Sequence, residues 1–255
     1  MLKKKSLGIK ALGLLMLTCA TGAFAQSKLY PNEFDLKDVK LTDGPFLHAR
    51  ELNIRVLKQY DVNRLLAPYL KTAGLPSAES FENWIGLDGH VGGHYLSALA
   101  IHYAATGDVE LLNRMNHMIA EMKKAQDANG DGYVGGVDKE CWSALRNCDV
   151  TGVEKRWVPW YNMHKVYAGL RDAYIYGGST EALEMFYKLC DWGIEAIKNL
   201  DDATMERMLG TEFGGMDEVY ADAYDLSGKK KYLDAAIRFS HHWLLDPMAK
   251  GKDML

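Results

Sequence analysis

From Pro45 onward the apolar positions recur at a helical period, and no strand-like alternation competes with it. Leu47, Leu52, Val56 and Leu57 mark one helix, and Gly74-Leu75-Pro76-Ser77 breaks the chain before the next. Three helix pairs then share one layout. The first runs from Gly93-His94 through Ala105, turns at Thr106-Gly107-Asp108 and returns from Val109 to Gln126. The second runs from Met163-His164 through Tyr176, turns at Gly177-Gly178-Ser179 and returns to Asn199. The third runs from Gly214-Gly215 through Leu226, turns at Ser227-Gly228 and returns from Lys230 to Leu245. The first member of each pair is crowded with small and aromatic residues, such as Tyr167, Ala168, Gly169 and Tyr174. The returning members are amphipathic, with Leu111, Met115, Met118 and Met122 on one face of the first.

This pattern predicts an all-α array of helical hairpins, with crowded inner helices and half-wet outer ones. The repeats are irregular and long loops precede each inner helix, which favours a closed (α/α) toroid over an open solenoid. Residues 26–44 are polar and punctuated, with the alternation Val39-Lys40-Leu41, and are expected to form an extended arm.

In such a toroid the starts of the inner helices face one funnel. Here those starts carry tryptophan, tyrosine, histidine, acids and glycine: Trp84 to His94, Trp157 to His164, and Thr211 to Glu218. Aromatic plates beside hydrogen-bonding groups suit a sugar ring, whose CH faces stack and whose hydroxyls need polar partners. The candidate substrate-binding residues are His94, Tyr133, Trp160, Tyr161, His164, Glu212 and Glu218. Each has a structural alternative: a histidine can cap a helix, and acids are favoured in a first turn. Glu212 and Glu218 stand six apart and do not share a helix face, which argues against a glycosidase carboxylate pair.

Asp127-Ala-Asn129-Gly-Asp131-Gly132, with Asp138 in the twelfth place, resembles a calcium loop, although no exit helix is evident after it. Its alternative is a glycine-rich turn that lends Tyr133 to the rim. No phosphate-binding loop or Ser-His-Asp pattern occurs.

The opening 25 residues read differently from the rest. Lys3, Lys4, Lys5 and Lys10 precede the apolar run Ala11–Ala23, and Ala23-Phe24-Ala25 is a small-x-small cleavage site. The run is too short to span a bilayer, so a cleaved signal peptide over 1–25 and an exported protein, periplasmic or extracellular, are expected. No later stretch approaches a membrane span. The 255 residues carry a formal charge of −4, and loss of the four lysines takes it to −8. No basic stripe is offered to nucleic acid, and an acidic chain suits an uncharged ligand. Among the remaining cysteines, Cys141 and Cys148 are close enough for a disulfide or are idle thiols, and Cys190 falls in a helical core pattern.

Four stretches resemble the DUF1680 family of bacterial exported proteins, the glycoside hydrolase 127/146 group. They are Gly92-Gly-His-Tyr-Leu-Ser-Ala-Leu-Ala100, Asp131-Gly-Tyr-Val-Gly-Gly136, Trp160 to Asp172 and Glu212 to Asp222. The resemblance runs from about Leu29 to the end. It implies an (α/α)6 catalytic barrel, with residues 45–255 as the N-terminal part of its catalytic domain, and retaining hydrolysis of terminal β-L-arabinofuranosyl groups on plant-derived glycans. It implies that His164 touches the sugar and that the Glu212–Glu218 segment lies in the active site. It also implies a zinc-held cysteine nucleophile with a Glu-x-Cys motif and a Cys-Cys pair. This chain has no Cys-Cys, and Glu140-Cys141 and Cys148 precede the Trp160–Asp172 motif, where the family's zinc ligands do not stand. The expectation is therefore a truncated barrel with a carbohydrate-binding rim and no catalytic centre. A non-catalytic sugar-binding protein, or another toroid enzyme acting on polysaccharides, are the alternatives.

Overall fold

The computed structural model describes residues 34–82, 87–212 and 215–253. The expected signal peptide, most of the expected arm, and part of the loop before the first inner helix lie outside the described residues. Twelve α-helices and one 3-10 turn at Leu36–Asp38 are described, with no strand among these residues. The alternation at Val39-Lys40-Leu41 therefore pairs with nothing as a sheet.

The opening helices are α1 (Pro45–Gln59), of which only Leu57 is buried, and α2 (Val62–Thr72), most of which is buried. Asp61 caps α2 by accepting from the Asn63 amide. The first predicted pair is α3 (His90–Thr106) and α4 (Val109–Asn129). The second is α7 (Pro159–Ile175) and α8 (Thr180–Ile197), and the third α10 (Met216–Ser227) and α11 (Lys230–Phe239). Each return helix starts where a polar hairpin ends, as where Asp108 and Ser179 accept from the amides of Glu110 and Ala182. A cap of this kind is worth about 1 kcal/mol. Gly107 and Gly228 end α3 and α10 in the left-handed conformation. In the second pair Gly178, and not Gly177, takes that role, because Gly177 is pressed against Met115.

The inner helices run parallel. Gly93 of α3 lies against Lys165 of α7, and Gly169 lies against Gly93 and Leu96, so numbers climb together along both. A Cβ on Gly93 would stand 2.2 Å from the Lys165 carbonyl oxygen. Only a hydrogen fits, and this sets the close α3–α7 crossing. The next pair repeats the sense: His164 of α7 meets Gly215 and Glu218, and Arg171 meets Asp222. The N-terminal ends of α3, α7 and α10 thus lie side by side.

Inner and outer layers are tied through buried hydroxyls. Tyr167 donates to the Leu189 carbonyl at 2.8 Å and Tyr220 to that of Cys190 at 2.9 Å. Gly193 on α8 makes room for both. The core beneath combines Leu96, Leu99, Met115, Met118, Leu170 and Phe186, all fully buried. Each such side chain contributes roughly 1.5–3 kcal/mol on burial.

Three predicted features are corrected. The return helix of the third pair ends at Phe239 instead of Leu245, and α12 (His242–Ala249) starts after a break at Ser240-His241. The break is held by Glu206 of α9 (Asp202–Leu209), whose carboxylate oxygens accept the amides of His242 and Trp243 at 3.1 Å each. An exit helix does follow the Asp127–Asp138 loop: α5 (Lys139–Arg146), capped by Asp138, and then the short α6 (Thr151–Glu154). Finally, Glu212 precedes α10 and lies outside it. Cys141, Cys148 and Cys190 are all free thiols.

Candidate active site

The aligned starts of α3, α7 and α10 gather ionisable side chains. His164, on the second turn of α7, sits at the centre with its side chain 12% exposed. Its Nδ1 accepts from the Lys165 ammonium at 3.0 Å, which leaves the neutral ring's proton on Nε2. That nitrogen faces a Glu218 carboxylate oxygen at 3.5 Å. Burial, helped by Lys165 and opposed by Glu218, pushes the imidazole down to about 4, so the ring is neutral near pH 7. The other face of the ring rests on Gly215, whose φ of +89° and bare α-carbon allow the approach; a Cβ there would lie 2.7 Å from the ring.

Lys165 also stands 4.3 Å above the Tyr161 ring, a cation–π contact that steadies an exposed tyrosine. Burial lowers the lysine's proton affinity and Glu218 restores part of it. On α3, His94 is open to solvent and packs edge-on to His90. Partial desolvation and then the charges of Lys165 and His90 lower its proton affinity.

Below this layer Arg171 joins three carboxylates. It pairs with Asp172 at 2.9 Å, with Glu218 at 3.4 Å and closely with Asp222. Burial opposes the guanidinium charge and the carboxylates outweigh it. Asp222 is raised by burial despite Arg171. The cluster fixes Glu218 and Asp222, one helical turn apart on α10, beneath His164.

Glu212 has a different office. Buried to 3% exposure, it accepts the backbone amides of Trp160 at 3.0 Å and Tyr161 at 3.2 Å, in the first turn of α7. Pro159, at the first helical position, lacks an amide, and Glu212 satisfies the next two. Burial pushes its carboxyl up to about 8 against those two donors. It caps a helix from a distance and is buried away from solvent.

The structure thus brings His94, Tyr161, His164 and Glu218 to one rim. Tyr133 and Trp160, expected there, are in the core instead. The Tyr133 hydroxyl is spent on the Val137 carbonyl at 2.6 Å, and its ring lies 4.7 Å from Trp192. The Trp160 ring is 1% exposed, 4.9 Å from Trp142 and 5.1 Å from Phe239. Each apolar ring is better buried than left on a wet rim. Lys165, Arg171 and Asp222 are members that the sequence reading did not single out. The signal was present: Arg171 is seven residues from His164, and Asp222 four from Glu218, so each pair shares a helix face.

Among the described residues no group of three His, Cys, Asp or Glu is placed to hold a metal ion. The thiols do not fit a zinc centre. Cys141 and Cys190 are buried, and burial pushes Cys141 up to about 12 and raises Cys190 well above its ordinary value. Cys148 lies at the surface beside the Asn199 carbonyl. The acids of the Asp127–Asp138 loop have protein partners: Asp127 pairs with Lys123, Asp131 with Arg146 and Asp138 with Arg156. Asn129 donates to the Tyr133 carbonyl. No helix among the described residues is long and apolar enough to cross a membrane.

Parallel inner helices whose starts converge on a polar, histidine-centred rim define a helical-hairpin array of the toroid kind. Residues 38–255 match the family model described as the β-L-arabinofuranosidase, GH127 catalytic domain, and the chain belongs to that family. Among solved structures, a GH127 β-L-arabinofuranosidase from Geobacillus stearothermophilus T6 is similar over 81% of this chain, at 17% identity and a TM-score of 0.46. This chain covers 32% of the length of that protein. No curated protein sequence matches.

Proposed function

We propose that this chain supplies the sugar-binding wall of an exported β-L-arabinofuranosidase-type hydrolase acting on plant-derived arabinosyl glycans. The observation that carries the reading is the rim around His164. A neutral imidazole at the helix starts has the Lys165 ammonium at 3.0 Å on one nitrogen and the Glu218 carboxylate at 3.5 Å from the other, with Tyr161 against Lys165. A furanosyl ring presents a CH face and several hydroxyls. Tyr161 offers the stacking surface, Lys165 donates to hydroxyls and Glu218 accepts from them, while the buried His164 ring sits between the two and positions them.

Bond cleavage needs more than this. Glu212 is buried and committed to the α7 amides, so it does not join Glu218 as the acid and nucleophile of a glycosidase pair. The buried thiols of Cys141 and Cys190 are not nucleophiles as they stand. The binding function is therefore assigned to this chain, and catalysis to a centre it does not hold among the described residues. Titration calorimetry with methyl β-L-arabinofuranoside tests binding, and release of the aryl group from an aryl β-L-arabinofuranoside tests turnover. Binding that His164→Ala removes, with no turnover, is expected. Turnover that His164→Ala abolishes would contradict the assignment.

A further inference from the structure

Glu218, the acceptor assigned to the sugar, stands in the first turn of α10 with its side chain 60% exposed. A glutamate so open samples many rotamers, and fixing one of them for a ligand costs affinity. The structure meets the carboxylate at both oxygens, and both contacts come from α7. Oε2 faces His164 Nε2 at 3.5 Å, and Oε1 faces Arg171 Nη1 at 3.4 Å. His164 and Arg171 are seven residues apart, about two helical turns, so one face of α7 presents both to α10.

Arg171 is itself held without help from Glu218. Its Nε and Nη2 both donate to Asp172 Oδ1 at 2.9 Å, and its Nη1 is in close contact with Asp222. The Arg171 side chain is 18% exposed and that of Asp172 6%. Two other carboxylates therefore fix the guanidinium plane, and a planar fork bonded along two edges has little freedom left. Between Arg171 and Glu218, the exposed acid is the partner that adjusts. An ion pair to so open an acid contributes little to folding stability. Its effect falls on the ligand, because a carboxylate already in place loses less freedom on binding. Resting on the sugar-binding reading above, we infer that Arg171 is the positioning residue for Glu218: from the layer beneath the rim it sets the orientation in which that carboxylate accepts a sugar hydroxyl. A lysine ammonium has no fixed fork with which to serve Asp172, Asp222 and Glu218 together.

A double-mutant cycle on the full chain tests this, read by calorimetry with methyl β-L-arabinofuranoside at a temperature where all four proteins are folded. Glu218→Gln alone is expected to weaken binding about tenfold. Arg171→Lys, which keeps the positive charge between Asp172 and Asp222, should weaken it about fivefold when Glu stands at 218. The same substitution should change affinity by less than about twofold when Gln stands there. Should Arg171→Lys fail to fold, Arg171→Gln combined with Asp222→Asn removes one charge of each sign and is read in the same cycle. Equal losses with Glu and with Gln at 218 overturn the inference, because Arg171 would then act without Glu218. An unchanged affinity in Arg171→Lys with Glu218 in place also overturns it. A folded parent that binds no sugar removes the sugar-binding reading itself, and this inference with it.

Discussion

Glu212 and Tyr161 are 51 residues apart in the chain, yet the Glu212 carboxylate accepts the Tyr161 backbone amide at 3.2 Å, beside the Trp160 amide at 3.0 Å. The segment leading into α10 thereby holds the start of α7. That start carries Tyr161, His164 and Lys165. The same segment supplies Gly215, on which the His164 ring rests. The rim is therefore set by the junction of two hairpins.

Removal of the carboxylate should expose that dependence. Glu212→Ala leaves two helix-start amides buried without acceptors, at a cost of about 2–4 kcal/mol. Urea unfolding should show the loss as a lower midpoint with an unchanged slope.

Glu212 should also make stability fall as pH rises. Its folded value of about 8 lies above the ordinary 4.5, so the folded state holds the extra proton between them. The contribution is full below 4.5 and is lost as pH rises through 8. His164 works oppositely: its value of about 4 lies below 6.5, so its contribution is present above 6.5 and lost as pH falls through 4. The two slopes oppose each other from 4.5 to 6.5, and Glu212 acts without His164 from 6.5 to 8. Urea unfolding across that upper window should show declining stability in the parent and a flatter profile in Glu212→Gln. Equal slopes in both proteins would remove Glu212 as the cause.

Gly215→Ala combines a left-handed backbone with a Cβ 2.7 Å from the His164 ring. A destabilisation of about 2 kcal/mol is expected. The His164 ring resonances should shift as the imidazole is displaced. Stability loss with unmoved ring resonances would mean that Gly215 serves the turn and not the ring.

Gly93→Ala is more severe. Its Cβ would meet backbone, the Lys165 carbonyl oxygen at 2.2 Å, which has no rotamer to change. The α3–α7 crossing must open, at a cost of about 3 kcal/mol or more, seen as a Tm lower by about 6 °C or more.

Much of the fold was legible because hairpin turns are local. The glycines at 107 and 228 and the caps at Asp108 and Ser179 follow from residues within a few positions of each other. The break at Ser240 and the capping of α7 depend on Glu206 and Glu212, carboxylates that arrive from far along the chain, and no local period reports them. The rim was legible in part for the same reason. His94, Tyr161, His164 and Glu218 occupy helix starts, which the repeat located. Tyr133 and Trp160 have the same composition signal as a rim aromatic, but where each ring falls is decided by packing against Trp142, Trp192 and Phe239.

The most direct measurement is calorimetric titration of the chain and of His164→Ala with methyl β-L-arabinofuranoside near pH 7, where the imidazole is neutral. The account predicts saturable binding by the parent and at least about a tenfold weaker affinity for the variant at a temperature where both are folded. Equal affinities in the two proteins, or no binding by a folded parent, would contradict it.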